Sequence, residues 1–163
     1  MDSILDEFLR KHLISYELFE HRAVFTVGES RDLKKSIPGL HCKCLFMKDN
    51  LGIFYLVGMP AEKRLDIIKL RALLGVKKLH FASADELFDK LGLKPGSVSI
   101  FGLVNNLDRD VVFILDKQVF DAEYVGFHPN INTATIVLKH EDLERFYNSV
   151  GNTKLVLKLS KKL

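Results

Sequence analysis

Helical and strand-like segments alternate irregularly along this chain, and that pattern constrains its fold more than any single motif does. Apolar spacing and capping signals predict helices over residues 4–9, 26–37, 65–74, 83–92 and 141–150. Apolar and β-branched runs predict strands over residues 16–19, 42–47, 53–59, 79–81, 98–103, 111–115, 124–127, 133–138 and 154–159. Because the spacing is not that of regular βαβ units, we expect an α+β fold with a mixed, largely antiparallel sheet.

Composition narrows the class of protein further. The chain has 163 residues, of which 47% are hydrophobic and 28% charged, so we expect one globular domain over residues 1–163. No apolar run approaches the roughly 20 residues of a membrane helix, and the N-terminus lacks the features of a signal peptide. We therefore expect a cytoplasmic protein. The net charge of +3 is compatible with a polyanionic partner but does not demand one.

The segment His41-Cys42-Lys43-Cys44 places two thiols and a cation on one predicted strand. Cys42 and Cys44 would share a face, and a disulfide between them would be strained, so we expect both reduced. No second cysteine pair completes a metal site. A cysteine–histidine nucleophile would need pairing in space that a sequence cannot show. We favour the interpretation that Cys42 and Cys44 are simply two small buried residues of a strand.

Lys43 is less ordinary, because it interrupts a run that is otherwise apolar through Met47. Two interpretations stay open. The stem could lie along the sheet with the ammonium group in water. Alternatively, the cation could point into a pocket that takes a phosphate or a carboxylate, since lysine is rarely buried without a partner.

Two further segments are candidates for a binding site. One is the glycine loop, residues 96–102, in which small residues would let a ligand approach backbone N–H donors; a simple turn into a strand is the alternative. The other is the late turn, residues 126–135, where His128 could be a base, a ligand contact or a structural hydrogen-bonding group. Asn132 and Thr133 could cap that turn.

Taken in order, these segments resemble the YbaK-like family, also described as the prolyl-tRNA-synthetase-associated editing domain, and most closely its freestanding alanyl-tRNA(Pro) deacylases. Five segments carry the resemblance across nearly the whole chain: residues 23–27, 41–49, 70–87, 95–105 and 128–135. It implies a barrel-like mixed sheet flanked by helices. It also implies hydrolysis of the ester that joins a wrong amino acid to the 3′ end of a tRNA, without a metal, cofactor or covalent nucleophile.

The resemblance also assigns roles to residues. Lys43 would hold the terminal adenosine or its phosphate, Gly96 and Ser97 would supply donors near the ester carbonyl, and His128 would lie at the pocket wall. The substrate-binding residues it implies are Thr26, Cys44, Ser99, Ile100, Phe101, Gly102 and Asn132. The implied partners are the acceptor 3′ end of tRNA and prolyl-tRNA synthetase.

The chain departs from the family pattern at three positions. Cys44 stands where asparagine usually follows the lysine, Ile100 where the loop usually has proline, and Arg22 where proline is common. These changes bear on amino-acid specificity more than on the fold. Two alternatives therefore stay open: a non-catalytic tRNA-binding or regulatory relative, and a thiol-dependent enzyme that uses Cys42 or Cys44. A deacylase for serine or cysteine attachments is a variant of the main hypothesis.

Overall fold

The computed structural model describes residues 1–23 and 27–163, with the side chains of residues 27–30 and 34 outside the description. The helices are α1 (Ser3–Lys11), α2 (Val27–Ser36), α3 (Ile67–Leu74), α4 (Ala84–Leu91), α5 (Lys117–Asp121) and α6 (His140–Ser149), with a 3₁₀ helix at Ile100–Asn105. The strands are β1 (Glu17–Glu20), β2 (Leu40–Asp49), β3 (Phe54–Pro60), β4 (Leu79–Phe81), β5 (Val111–Asp116), β6 (Tyr124–Phe127), β7 (Ala134–Lys139) and β8 (Lys154–Leu157).

The strands form one mixed sheet, as the sequence predicts. Its order is β1-β7-β6-β2-β3-β5-β8, and β4 pairs with β2 beside this path. The pairs β1–β7, β6–β7, β2–β3 and β2–β4 are antiparallel. The pairs β2–β6, β3–β5 and β5–β8 are parallel. The long strand β2 therefore connects the two halves of the sheet.

Apolar side chains fill both faces of the sheet, because β2 and β3 lie in its middle. Cys44 and Phe46 of β2 point into the larger core, which α1, α4, α6 and the 3₁₀ helix cover. Met47 points into a smaller core that α3 covers through Leu70. Successive strand residues face opposite sides, so the two thiols of β2 share the larger core, as expected.

The prediction of a strand over residues 98–103 is wrong. Ser99 instead caps the 3₁₀ helix, its Oγ accepting a hydrogen bond from the Phe101 N–H at 3.2 Å. Ile100 to Leu103 are buried in succession, so the run shows no alternation that could separate a strand from a tight helix. The short helix α5 was not predicted; its five residues are too few to show a helical period.

The other predicted helices and strands lie where the sequence places them, within a few residues at their ends. The capping interaction predicted at Thr26 lies outside the described residues. In the ranges 1–23 and 27–163, no helix is both long and apolar enough to cross a bilayer.

Candidate functional site

The edge of β2 opposite β3 is only partly paired. β6 pairs with Leu40 and His41 at one end of this edge, and β4 pairs with residues 47–49 at the other. The Ala82 N–H extends the second pairing to the Phe46 carbonyl at 3.0 Å. Among the described residues, no strand pairs with residues 42–45 on this side. The sheet thus opens beside the strand that carries Cys44 and Lys43.

A small cleft of about 240 Å³ lies at this opening; we call it the loop cleft. Its walls come from β2, the start of α4 and the glycine loop. Residues that line it include Cys44, Phe46, Ala82, Pro95, Gly96 and Val98. The structure thus brings the lysine-bearing strand and the glycine loop together, although some 50 residues separate them in the sequence.

The first residues of the glycine loop keep backbone donors available. Gly96 is exposed and has φ of +90°, a conformation that glycine adopts without strain. The Ser97 N–H donates to the Lys94 carbonyl at 3.1 Å, which closes the turn. Within the described residues, the N–H groups of Gly96 and Val98 have no recorded acceptor. These two amides are the donors that the loop can offer to a ligand.

The second half of the glycine loop is structural. Ser99, Ile100, Phe101 and Gly102 are all buried, and the N–H groups of Phe101 and Gly102 bond to Ser99 at 3.2 and 3.0 Å. Their side chains belong to the core and not to an open wall. They hold the loop in place, and a ligand in the loop cleft would meet the residues before them.

Two of the departures from the family pattern contact each other. The backbone N–H of Ile100 lies close to the sulfur of Cys44 and favours its ionised form, an interaction that a proline at position 100 could not make. Burial nevertheless raises the pKa of the Cys44 thiol far above its usual range, and burial does the same for Cys42. Both cysteines are free and stay protonated at neutral pH. Since the thiolate is the nucleophile, this disfavours a thiol-dependent enzyme.

Lys43 faces the side of β2 opposite Cys44, as strand alternation requires. It lines a second cleft of about 290 Å³, which we call the basic groove. Leu45 and Phe81 line both the basic groove and the loop cleft, so the two are neighbours. The structure therefore places Lys43 beside the glycine loop but across a shared wall from it.

The late turn is fixed against the 3₁₀ helix. Asn130 has φ of +65°, and its Nδ2 donates to the Phe101 carbonyl at 3.3 Å. The Phe101 and Phe127 rings meet edge to face with centroids 6.1 Å apart. Asn132 is half-buried and Thr133 exposed. Sequence analysis did not single out Asn130, although asparagine is enriched at positive φ and its place in the turn was a usable signal.

A second histidine, His21, lies beside His128 of the late turn. The His128 Nδ1–H donates to the Ala134 carbonyl at 2.9 Å, which leaves Nε2 as the acceptor of the neutral ring. The His21 ring lies 6.1 Å away, and its Nε2 bonds to the Thr135 hydroxyl at 3.0 Å. Burial is the main cause that lowers the pKa of His128 below its usual value of about 6.5, and the nearby His21 and His41 lower it further. His128 is therefore neutral at pH 7.

Sequence analysis also missed His21, and only its position just before residues 23–27, which we call the early loop, pointed to it. Its backbone N–H donates to the Thr133 carbonyl at 2.9 Å, which ties the residue after β1 to the late turn. Thr26, which the resemblance placed in the same loop, lies outside the described residues. In the part of the chain that the structure describes, no group of three acidic, histidine or cysteine side chains could hold a metal ion.

Solved structures share this architecture. The hypothetical protein APE2540 superposes with a TM-score of 0.76 at 21% identity, covering 98% of this chain and 100% of that one. A candidate trans-editing enzyme for prolyl tRNA synthetase superposes with a TM-score of 0.74 at 18% identity, covering 99% of each chain. At such identities the likeness shows that the chain shares the fold of these proteins.

Sequence comparison then gives the family. Residues 21–146 match the model of the aminoacyl-tRNA editing domain, and the chain belongs to this family. The prolyl-tRNA editing protein ProX of Acetoanaerobium sticklandii is 37% identical over 147 residues, which are 90% of each chain. Prolyl-tRNA synthetase associated domain-containing protein 1 of Bos taurus is 32% identical over 162 residues, covering 96% of this chain and 94% of that one.

Proposed function

We propose that this protein is a trans-editing deacylase that hydrolyses the ester of mischarged tRNA, with Ala-tRNA(Pro) as its substrate. The observation that carries the proposal is the loop cleft, where an exposed glycine turn offers free N–H donors beside the lysine-bearing strand. Membership of the editing-domain family and likeness to ProX over 90% of the chain support it. On this proposal, residues 1–163 act as one editing domain.

In the proposed mechanism, the aminoacyl ester enters the loop cleft and the amides of Gly96 and Val98 face its carbonyl oxygen. Donors aimed at a developing oxyanion lower the barrier, each by about 3 kcal/mol. Ser97 adds a hydroxyl beside them. An aminoacyl ester is already activated, so a site that orients it with one water supplies much of the remaining acceleration. The substrate's 2′-hydroxyl positions that water, which explains why no side-chain base is needed.

The remaining residues position the substrate. Lys43 approaches from the basic groove and holds the terminal adenosine or its phosphate. His128 presents its unprotonated Nε2 at the end of β6, where it positions the aminoacyl group and does not act as a base. Asn132 and Thr26 extend the walls formed by the late turn and the early loop. The buried residues Ser99 to Gly102 keep the glycine loop rigid.

Size sets the amino-acid preference in this proposal. A cleft of about 240 Å³ is smaller than the roughly 300–1,000 Å³ of ordinary ligand sites, which favours a small amino acid. Cys44 lies at its wall, where a neutral thiol beside the Ile100 N–H replaces a more polar amide. Exclusion by size contributes only about 1–3 kcal/mol of discrimination per methylene. The site should therefore discriminate alanine from proline better than alanine from serine.

The protein's partner in this proposal is the acceptor 3′ end of tRNA, in the cytoplasm and near prolyl-tRNA synthetase. A panel of tRNAs charged with alanine, serine, cysteine, threonine or proline tests the proposal. We expect release of alanine from tRNA(Pro) to be fastest. Tight tRNA binding with no release from any charged tRNA would instead identify a non-catalytic relative. Faster release of serine or cysteine would show that the protein is a deacylase for a different amino acid.

A further inference from the structure

The C-terminal segment places two cations face to face at the basic groove. The Lys162 N–H donates to the Arg64 carbonyl at 2.8 Å, and the Asp66 N–H donates to the Ser160 carbonyl at 3.1 Å. Leu65 and Lys161 form the antiparallel bridge between these bonds. In this register Arg64 lies directly opposite Lys162, and both side chains are exposed.

This arrangement is unfavourable in the free protein. Side chains at directly opposite positions of an antiparallel pair have Cβ atoms about 4.5–5.5 Å apart, and like charges there repel. Among the described residues, neither Arg64 nor Lys162 has a carboxylate partner. An anion that bridges the two cations would remove the repulsion.

The rest of the basic groove suits a nucleotide more than a simple anion. Lys43 adds a third cation, and the one carboxylate that lines the groove, Asp66, accepts a hydrogen bond from the Lys69 N–H at 3.1 Å as the cap of α3. The walls between the charges are apolar and include Ile67 and Phe81. Cations around an apolar floor match the phosphates and bases of a single strand.

Phe81 marks the route from this groove to the loop cleft. Its ring is 56% exposed, which is unusual for a strand phenylalanine, and it lines both clefts. Exposed aromatic rings are stacking surfaces for unpaired bases. A strand whose terminal residue occupies the loop cleft would therefore pass Phe81 and reach Arg64 and Lys162 with the preceding phosphates.

From this geometry we infer that Arg64 and Lys162 clamp a phosphate of the unpaired 3′ end of tRNA, with Phe81 stacking on one of its bases. This inference rests on the proposed function, because that function places the terminal ester in the loop cleft. It adds a second contact site, upstream of the ester, that binds substrate without taking part in the chemistry. The two cations are binding residues and not catalytic ones.

Binding of 5′-labelled tRNA(Pro) that ends in CCA, followed by fluorescence anisotropy at several salt concentrations, tests the inference. The Arg64→Ala/Lys162→Ala variant should bind about ten-fold more weakly, and the salt slope should fall by about 0.7, because it loses one single-strand phosphate contact. Phe81→Leu should weaken binding about five-fold through lost stacking. Arg10→Ala/Lys117→Ala is the matched control, since it removes two exposed cations that pair with Asp6 and Asp121.

The same tRNA without its CCA end provides the second comparison. The wild type and the Arg64→Ala/Lys162→Ala variant should bind this shortened tRNA equally. Equal loss in the control variant, or a loss that persists without the CCA end, would overturn the inference, as would unchanged affinity for the complete tRNA.

Hydrolysis of Ala-tRNA(Pro), measured in parallel, separates this inference from the proposed function. If the wild type hydrolyses Ala-tRNA(Pro) and the Arg64→Ala/Lys162→Ala variant has unchanged Kd and KM, the phosphate clamp is refuted and the deacylase proposal stands. If the binding results are as expected but the wild type does not hydrolyse Ala-tRNA(Pro), the phosphate clamp stands and the deacylase proposal is refuted. If both hold, the variant should raise KM about ten-fold with kcat unchanged.

Discussion

Lys43 and Cys44 are adjacent in the sequence but serve different clefts, because neighbouring strand residues point to opposite faces of the sheet. Cys44 closes a wall of the loop cleft, while Lys43 lines the basic groove. The resemblance assigned both residues to one site, Lys43 to the adenosine or its phosphate and Cys44 to substrate binding. The structure places them in two neighbouring clefts, Cys44 in the wall of one and Lys43 in the other.

Replacement of Lys43 by alanine should lower kcat/KM for Ala-tRNA(Pro) at least about 100-fold, because substrate misplaced in the site loses much of its rate. Unfolding in urea should be little changed. Lys48→Ala is the control on the same strand, since Lys48 pairs with Glu86 at 2.6 Å and lines neither cleft. Single-turnover deacylation measures the effect. Unchanged turnover in Lys43→Ala would remove the assigned role.

His128 should make the protein less stable in mild acid. Its pKa in the native state is lowered by burial, so below pH 6.5 the unfolded chain binds a proton that the native state does not bind. The free energy of unfolding should therefore fall from pH 7.5 to 5.5, and His128→Asn should reduce that fall. Urea denaturation at the two pH values measures it. A steeper fall in the variant than in the wild type would contradict the account.

The 3₁₀ helix at Ile100–Asn105 is the element that sequence analysis predicted as a strand. Its apolar run is compatible with a buried strand, and the deciding interaction is the local bond from the Phe101 N–H to the Ser99 hydroxyl. The capping box of α4 was predicted because Ser83 and Glu86 have the required spacing, and both of its bonds are present. Reciprocal caps are visible in a sequence, whereas a single serine cap is not.

Loss of the Ser99 hydroxyl should destabilise the protein by about 1–2 kcal/mol, the usual cost of losing a helix cap with a buried donor left unpaired. Ser99→Ala removes the acceptor of the Phe101 N–H at a fully buried position. Ser36→Ala, at an exposed serine, is the control and should change stability by less than about 0.5 kcal/mol. Chemical denaturation compares the two. Equal stabilities would show that the cap does not hold the glycine loop.

At the scale of the molecule, the opening of the sheet is the feature that positions the site. It arises because His41 pairs with Gly126 at one end of β2 and Met47 pairs with Phe81 at the other. The sequence predicts each strand from its own apolar pattern but carries no local signal for these distant pairings. The resemblance to the editing family supplied the order of the segments, whereas the two neighbouring clefts and the face-to-face cations became visible only in the structure.

One buried ion pair connects the C-terminal segment to the sheet. The Lys63 Nζ lies 2.6 Å from the Asp116 carboxylate and donates to the Leu159 carbonyl at 3.1 Å; the two side chains are only 16% and 1% exposed. Lys63→Met should cost about 3 kcal/mol, because it leaves a buried carboxylate without its partner. Lys117→Met, at an exposed pair, should change stability by less than about 0.5 kcal/mol. Urea denaturation measures both, and equal effects would contradict the prediction.

Selective hydrolysis of mischarged tRNA by this protein can be tested by single-turnover release of the amino acid from Ala-tRNA(Pro) and Pro-tRNA(Pro), measured side by side with the wild-type protein. We expect release of alanine to be at least about ten-fold faster than release of proline, the discrimination that size exclusion can provide. Release of neither amino acid above the rate of spontaneous hydrolysis would contradict it.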